Sequence, residues 1–143
     1  MNAVVLLRIT AVIGFLFFLG HTMGAPWTPG NEAEAAVTIA ALKAAIVPGM
    51  KATRTYWDFY FGFGASISVY LLALAAITWQ TASLLRSALG AAQPFMATLF
   101  VCYAAIGMVA VRYFFFVPAA IAGVLCLGIA LAWWSGRRNT AIV

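Results

Sequence analysis

Four runs of about twenty or more mostly apolar residues, at about 3–22, 57–84, 94–111 and 115–134, constrain this chain more than any other feature. An α-helix rises about 1.5 Å per residue, so about 20 residues cross the roughly 30 Å hydrocarbon layer of a bilayer. Lipid offers the backbone no hydrogen-bond partner, so such runs cross as helices that satisfy their own peptide groups. Composition agrees, with 66% hydrophobic and 8% charged residues among 143, where soluble domains carry about 25% charged. The expected fold is all-α: one integral membrane domain, a bundle of four transmembrane helices with a short helix in the first loop. This balance excludes a disordered chain and a secreted disulfide scaffold, since there are only two cysteines.

The formal charge of +5 does not form a nucleic-acid patch. Arg86, Arg112, Arg137 and Arg138 flank apolar runs, and Arg8, inside the first run, is near enough to its start to snorkel to the interface. The first run reads as a retained span rather than a cleaved signal peptide, because Arg8 interrupts its start and no A-x-A-like site follows it. Four spans put both termini on one side of the membrane. Arg8, Arg86, Arg137 and Arg138 lie on that side, against Lys43, Lys51, Arg54 and Arg112 on the other. Lys43 is set aside here as remote from either membrane end. With the N-terminal amine added, the balance then favours cytoplasmic termini.

The first loop carries a turn signal at Thr28-Pro29-Gly30, followed by Asn31, Glu32 and Glu34. Acidic residues there favour a helix N-terminus, and the expected loop helix spans about residues 31–46, stopped by Pro48-Gly49. Val37, Ala40, Ala41, Ala44 and Ala45 recur at helical spacing and suggest its apolar face. It reads as a lid on the bundle mouth, or as a gate over a ligand site.

Up-and-down topology brings the end of the first helix, the start of the second and the end of the third to one face. His21, Asp58 and Arg112 occupy those positions, with Trp57 and Tyr60 beside them. Each residue also has a plainer explanation. Thr55-Tyr56-Trp57-Asp58 fits the [ST]-x-x-[DE] capping box, which accounts for Asp58 as a helix cap. His21 can be an interfacial helix-end residue, and the aromatic residues can form a belt at headgroup level. Read functionally, the five residues His21, Trp57, Asp58, Tyr60 and Arg112 line a ligand site, in which His21 and Asp58 could exchange a proton. Pairs of small residues four apart, Gly20 and Gly24, Gly62 and Ser66, Gly64 and Ser68, Ala119 and Gly123, suggest close helix contacts.

No metal site and no cofactor are expected. A single histidine supplies neither paired haem ligation nor an H-E-x-x-H zinc motif, and Cys102 and Cys126 lack C-x-x-C spacing. Gly62-Phe63-Gly64 sits inside an apolar run, not between strand and helix where a phosphate loop would be. No carboxylate lies deep in a span, which weighs against a proton-coupled transporter.

His21-Thr22-Met23-Gly24, Trp27, Pro29 and Met50, and above all the stretch Arg54-Thr55-Tyr56-Trp57-Asp58-Phe59-Tyr60-Phe61-Gly62-Phe63-Gly64, carry a resemblance. In these residues the chain resembles a group of small, largely uncharacterised bacterial four-helix membrane proteins. The resemblance covers about the first half of the chain and implies four spans in a bacterial cytoplasmic membrane. It implies no particular activity.

Three functions remain on the residues alone. The leading one is binding of a lipid-like or small apolar ligand at the bundle mouth, with Arg112 attracting an anionic group and the aromatic residues holding the apolar part. The second is an accessory or scaffold role, in which small-residue faces and the loop helix meet a second copy of the chain or a larger membrane protein. The third is a metal-free isomerase of a lipid or isoprenoid, using His21 and Asp58 as an acid–base pair. Membrane lipids are the expected partners, and nucleic acid is not.

Overall fold

A computed structural model describes residues 2–24, 33–49 and 51–140. The elements are five helices: α1 (Ala3–Met23), α2 (Ala33–Ala44), α3 (Tyr56–Ser87), α4 (Leu89–Tyr113) and α5 (Phe116–Thr140). α1, α3, α4 and α5 are each long and apolar enough to cross a bilayer, so this is a multi-pass membrane protein. α3 has 32 residues, or about 48 Å of helix, well beyond the hydrocarbon thickness.

The helices start and stop close to the expected places, with two instructive differences. α4 begins at Leu89, so Pro94 lies inside the helix rather than at its start. Pro94 lacks an N–H, which leaves the Gly90 carbonyl without its usual donor. The loop helix is shorter than expected, ending at Ala44, while residues 25–32 lie outside the described residues. After it the chain forms a narrow antiparallel pairing: Val47 N–H donates to the Arg54 carbonyl at 2.8 Å, and Tyr56 N–H to the Ala45 carbonyl at 3.1 Å. Gly49 turns this connection with φ of +80°, a conformation that disfavours any side chain.

Two compact bodies make up the chain. The first contains residues up to 18 and from 71 onward, and the second contains residues 19–70. In the first body, segments of α1 and α3 join α4 and α5 around a core that includes Leu7, Met96, Leu99, Tyr103, Leu125 and Ile129. Lipid is as apolar as these side chains, so burial alone does not drive the helices together; close packing must. Glycines make that packing possible. Gly128 on α5 lies so close to Thr10 on α1 that a Cβ would not fit. A Cβ on Gly14 would stand 3.1 Å from the Tyr103 hydroxyl and 3.4 Å from Ala75, and one on Gly107 would stand 3.3 Å from Ala122.

The close approaches therefore use Gly14, Gly107 and Gly128. By contrast, Gly20, Gly62 and Gly123, drawn from the spacing pattern, have open space where a Cβ would go. Spacing identifies small residues that could face a neighbour, but the rotation of each helix selects which ones do. At one end of the first body the start of α1, the end of α3, the start of α4 and the end of α5 meet. Arg8 bonds Ser83 there, and a Cβ on Gly136 would lie 3.1 Å from Leu89 and 3.8 Å from Ala3.

Candidate functional site

Residues 19–70 hold four of the five expected site residues. At the start of α3, Thr55 N–H donates to the Asp58 carboxylate at 2.8 Å, and Asp58 N–H donates to Thr55 Oγ1 at 3.2 Å. This is the reciprocal capping box, in which each residue satisfies a backbone donor that the first turn leaves exposed. Asp58 is exposed, and its negative charge also complements the helix N-terminus.

His21 takes a different partner. Its Nδ1 lies 3.1 Å from Ser68 Oγ, and Thr22 Oγ1 donates to the same Ser68 oxygen at 3.0 Å. The Ser68 hydroxyl can accept from Thr22 and still either donate to Nδ1 or accept from it, according to the imidazole tautomer. Ser68 is 7% exposed, so this hydroxyl pair joins the end of α1 to the middle of α3 where water is scarce. Ser68 stands ten residues beyond Asp58 on α3, about 15 Å along the helix. The hydrogen bonds of His21 to Ser68 and of Asp58 to Thr55 therefore tie the two residues to different levels of α3.

Trp57 and Tyr60 do come together, with ring centroids 5.6 Å apart and a 32° tilt. The Lys43 ammonium of α2 sits 5.2 Å from the Trp57 ring, within cation–π range. Lys43 therefore belongs with the first turn of α3 and cannot be set aside in the charge balance, which returns to four basic residues on each side. Around this stack Tyr56, Phe61 and Phe63 are exposed, Phe63 to 66%, and Phe59 packs against Phe63 at 6.0 Å.

Above this aromatic stretch in the chain, α2 has no buried residue. Its half-covered positions are Ala35, Ile39 and Leu42, whereas Val37, Ala40, Ala41 and Ala44 are exposed. The helix is rotated away from the face suggested by spacing, because Ile39 and Leu42 bring more apolar area than the alanines. Arg112, the fifth expected residue, belongs to the first body, where its guanidinium lies 5.2 Å from the neighbouring Tyr113 ring. Trp27 and Met50 fall outside the described residues.

Ser68 and Thr22 were not apparent as interacting residues in the sequence. One signal was available: two hydroxyl residues beside the single histidine and on the α3 small-residue stripe, where apolar neighbours leave polar groups few other partners. Among the described residues no group of three or more His, Cys, Asp or Glu side chains could hold a metal ion. Comparison with models of protein families, with curated proteins and with solved structures finds no match to this chain.

Proposed function

We propose that this protein binds a lipid-like or small apolar ligand on the aromatic surface of residues 19–70, with Trp57 and Tyr60 as the contact platform and Lys43 as its cationic edge. The stack of Lys43, Trp57 and Tyr60 carries this reading, because it presents apolar area and positive charge together beside exposed Tyr56, Phe61 and Phe63. Amphipathic rings of this kind suit an amphiphile at headgroup level. Asp58 serves this surface as the cap that starts α3, and His21 as the tie to Ser68. The setting we infer is a bacterial cytoplasmic membrane with both termini in the cytoplasm. Reporter fusions at each terminus test that orientation.

The test is thermal stability of the purified full chain with a series of lipid classes, run beside Trp57→Ala and Asp58→Asn. A lipid that raises the melting temperature of the wild type and of Asp58→Asn, but not of Trp57→Ala, supports the reading. If every lipid class that shifts the wild type shifts Trp57→Ala equally, or if no class gives a shift, the reading fails. A second reading, an accessory subunit, rests on a separate observation: an open cavity of about 380 Å³ between α4 and α5, floored by Gly107, Ala122 and Gly123. Small residues of that kind admit close approach of another helix. Crosslinking in native membranes followed by mass determination separates it from ligand binding.

A further inference from the structure

The first body holds five arginines, and the three side-chain carboxylates of the chain, Glu32, Glu34 and Asp58, all lie outside it. Arg8 is the one that does not stand in the last turn of its helix. It does not simply snorkel to the surface: its guanidinium carbon lies over the Trp79 ring, 3.6 Å from the centroid, and Nη2 donates to Ser83 Oγ at 2.8 Å. Nη1 is covered and has no hydrogen-bond partner. A guanidinium stays charged under all physiological conditions, so a positive charge sits at the membrane boundary offset only by a hydroxyl and a ring face.

Ser83 is exposed and only accepts in its bond to Arg8, which leaves its own proton to donate outward. Arg86 follows three residues later on α3, on the same side of the helix, and is also exposed. The cluster therefore consists of donors, and its natural complement is an acceptor with several oxygens and negative charge, which is the chemistry of a phosphate.

Trp79 joins this cluster to a groove. Directly inward from it, Ala11, Val12 and Phe15 of α1 face Leu72, Ala75 and Ala76 of α3 around about 270 Å³ of wholly apolar space, with Trp79 closing one end. From Leu72 to Trp79 the groove follows about 10 Å of helix toward the middle of the span. Val12, Phe15, Leu72 and Trp79 are all exposed, so the groove opens to the outer surface of the first body.

We propose that this surface is a binding site for an anionic glycerophospholipid, whose phosphate meets Arg8, Ser83 and Arg86 and whose acyl chain lies in the groove beyond Trp79. Charge complementarity selects the occupant. A phosphate supplies the negative charge that the side chains of the first body lack, and a chain of methylenes fits the apolar space that continues from the same ring. Arg137 and Arg138 at the same end of the bundle, with Arg138 over the Trp134 ring at 4.0 Å, add positive charge that favours a lipid of net negative charge over a zwitterionic one. The site lies wholly in the first body and is independent of the Trp57 surface.

Native mass spectrometry of the full chain, released from nanodiscs holding equal phosphatidylglycerol and phosphatidylcholine, reads the occupancy directly. One phosphatidylglycerol retained per protomer in preference to phosphatidylcholine is the expected result. Arg8→Gln is expected to lower that retention about ten-fold, the scale of one charge-assisted hydrogen bond lost. Arg8→Lys falls between, because an ammonium keeps the charge but not the planar fork of donors. Ala76 is exposed on the groove wall, so Ala76→Phe blocks the chain without disturbing the core and provides a variant whose folding is not at risk. It is expected to lose the lipid as Arg8→Gln does, while Trp57→Ala retains it.

Equal retention of the two lipids, full retention by Ala76→Phe, or displacement by millimolar inorganic phosphate alone overturns the proposal. So does a lipid-free dimer, which would mean that a second copy covers the groove.

Discussion

The two bodies of this protein share two continuous helices and differ in what they bury. All 17 buried hydrophobic residues lie in the first body, and among the described residues of 19–70 only Ser68 is buried. The first body is an ordinary close-packed helical core, held by interdigitation and by glycines that let backbones touch. The second contains the connection, the carboxylates and a 12-residue helix with nothing buried. A helix that short is marginal by itself, so α2 depends on the pairing after Ala44, on the Lys43 contact and on its surroundings. The contrast assigns structure to one body and surface chemistry to the other, with Arg8 and Trp79 as the exception on the first body's outer face.

Mutations can break or sharpen that contrast. The largest effect is expected from Leu125→Ala, which empties space at a position with no exposure. In lipid the transfer contribution falls away and the cavity cost remains, so the expected loss is about 2 kcal/mol, at the low end for such changes. Reversible unfolding in mixed micelles measures it, and a loss below about 0.5 kcal/mol would mean that the first body is not a tightly packed core.

Next is Asp58→Ala, which removes the cap of α3 and should cost about 1 kcal/mol in the same assay. Asp58→Asn keeps an acceptor oxygen and should cost less. If the two cost the same, the carboxylate's charge matters more than its hydrogen bond.

The smallest change is Val37→Ala on α2. Val37 is exposed, and its loss should stay within about 0.5 kcal/mol. A larger cost in a bilayer than in detergent would show that this face of α2 is buried in lipid.

Much of the fold is legible from residue types because each relevant signal is local. Lengths of apolar residues define the spans, since every backbone group in lipid must be satisfied within its own helix. Thr55 and Asp58 announce their hydrogen bonds because a capping box needs only four consecutive residues. Pro94 misled the start of α4 because a proline in the second turn removes only one intrahelical bond, a cost that the rest of a long apolar helix can outweigh.

The site was legible only in part for the same reason. Trp57 and Tyr60 are three apart on one helix and meet by helical geometry. His21 finds Ser68 across 47 residues of sequence, and Arg8 finds Ser83 across 75, distances over which no local pattern carries information.

By itself, then, the order of residues determined that the chain crosses a membrane in four helices, where α3 is capped, and that no carboxylate lies deep in a span. Those outcomes follow from hydrophobicity, backbone hydrogen bonding and spacing within single helices. The tertiary structure alone decided that Gly14, Gly107 and Gly128 make the close contacts, that Lys43 sits over Trp57, and that Arg8 lies on Trp79 with an unpaired nitrogen. Each depends on how helices rotate and dock against one another, a choice made by packing of the whole core rather than by any one segment.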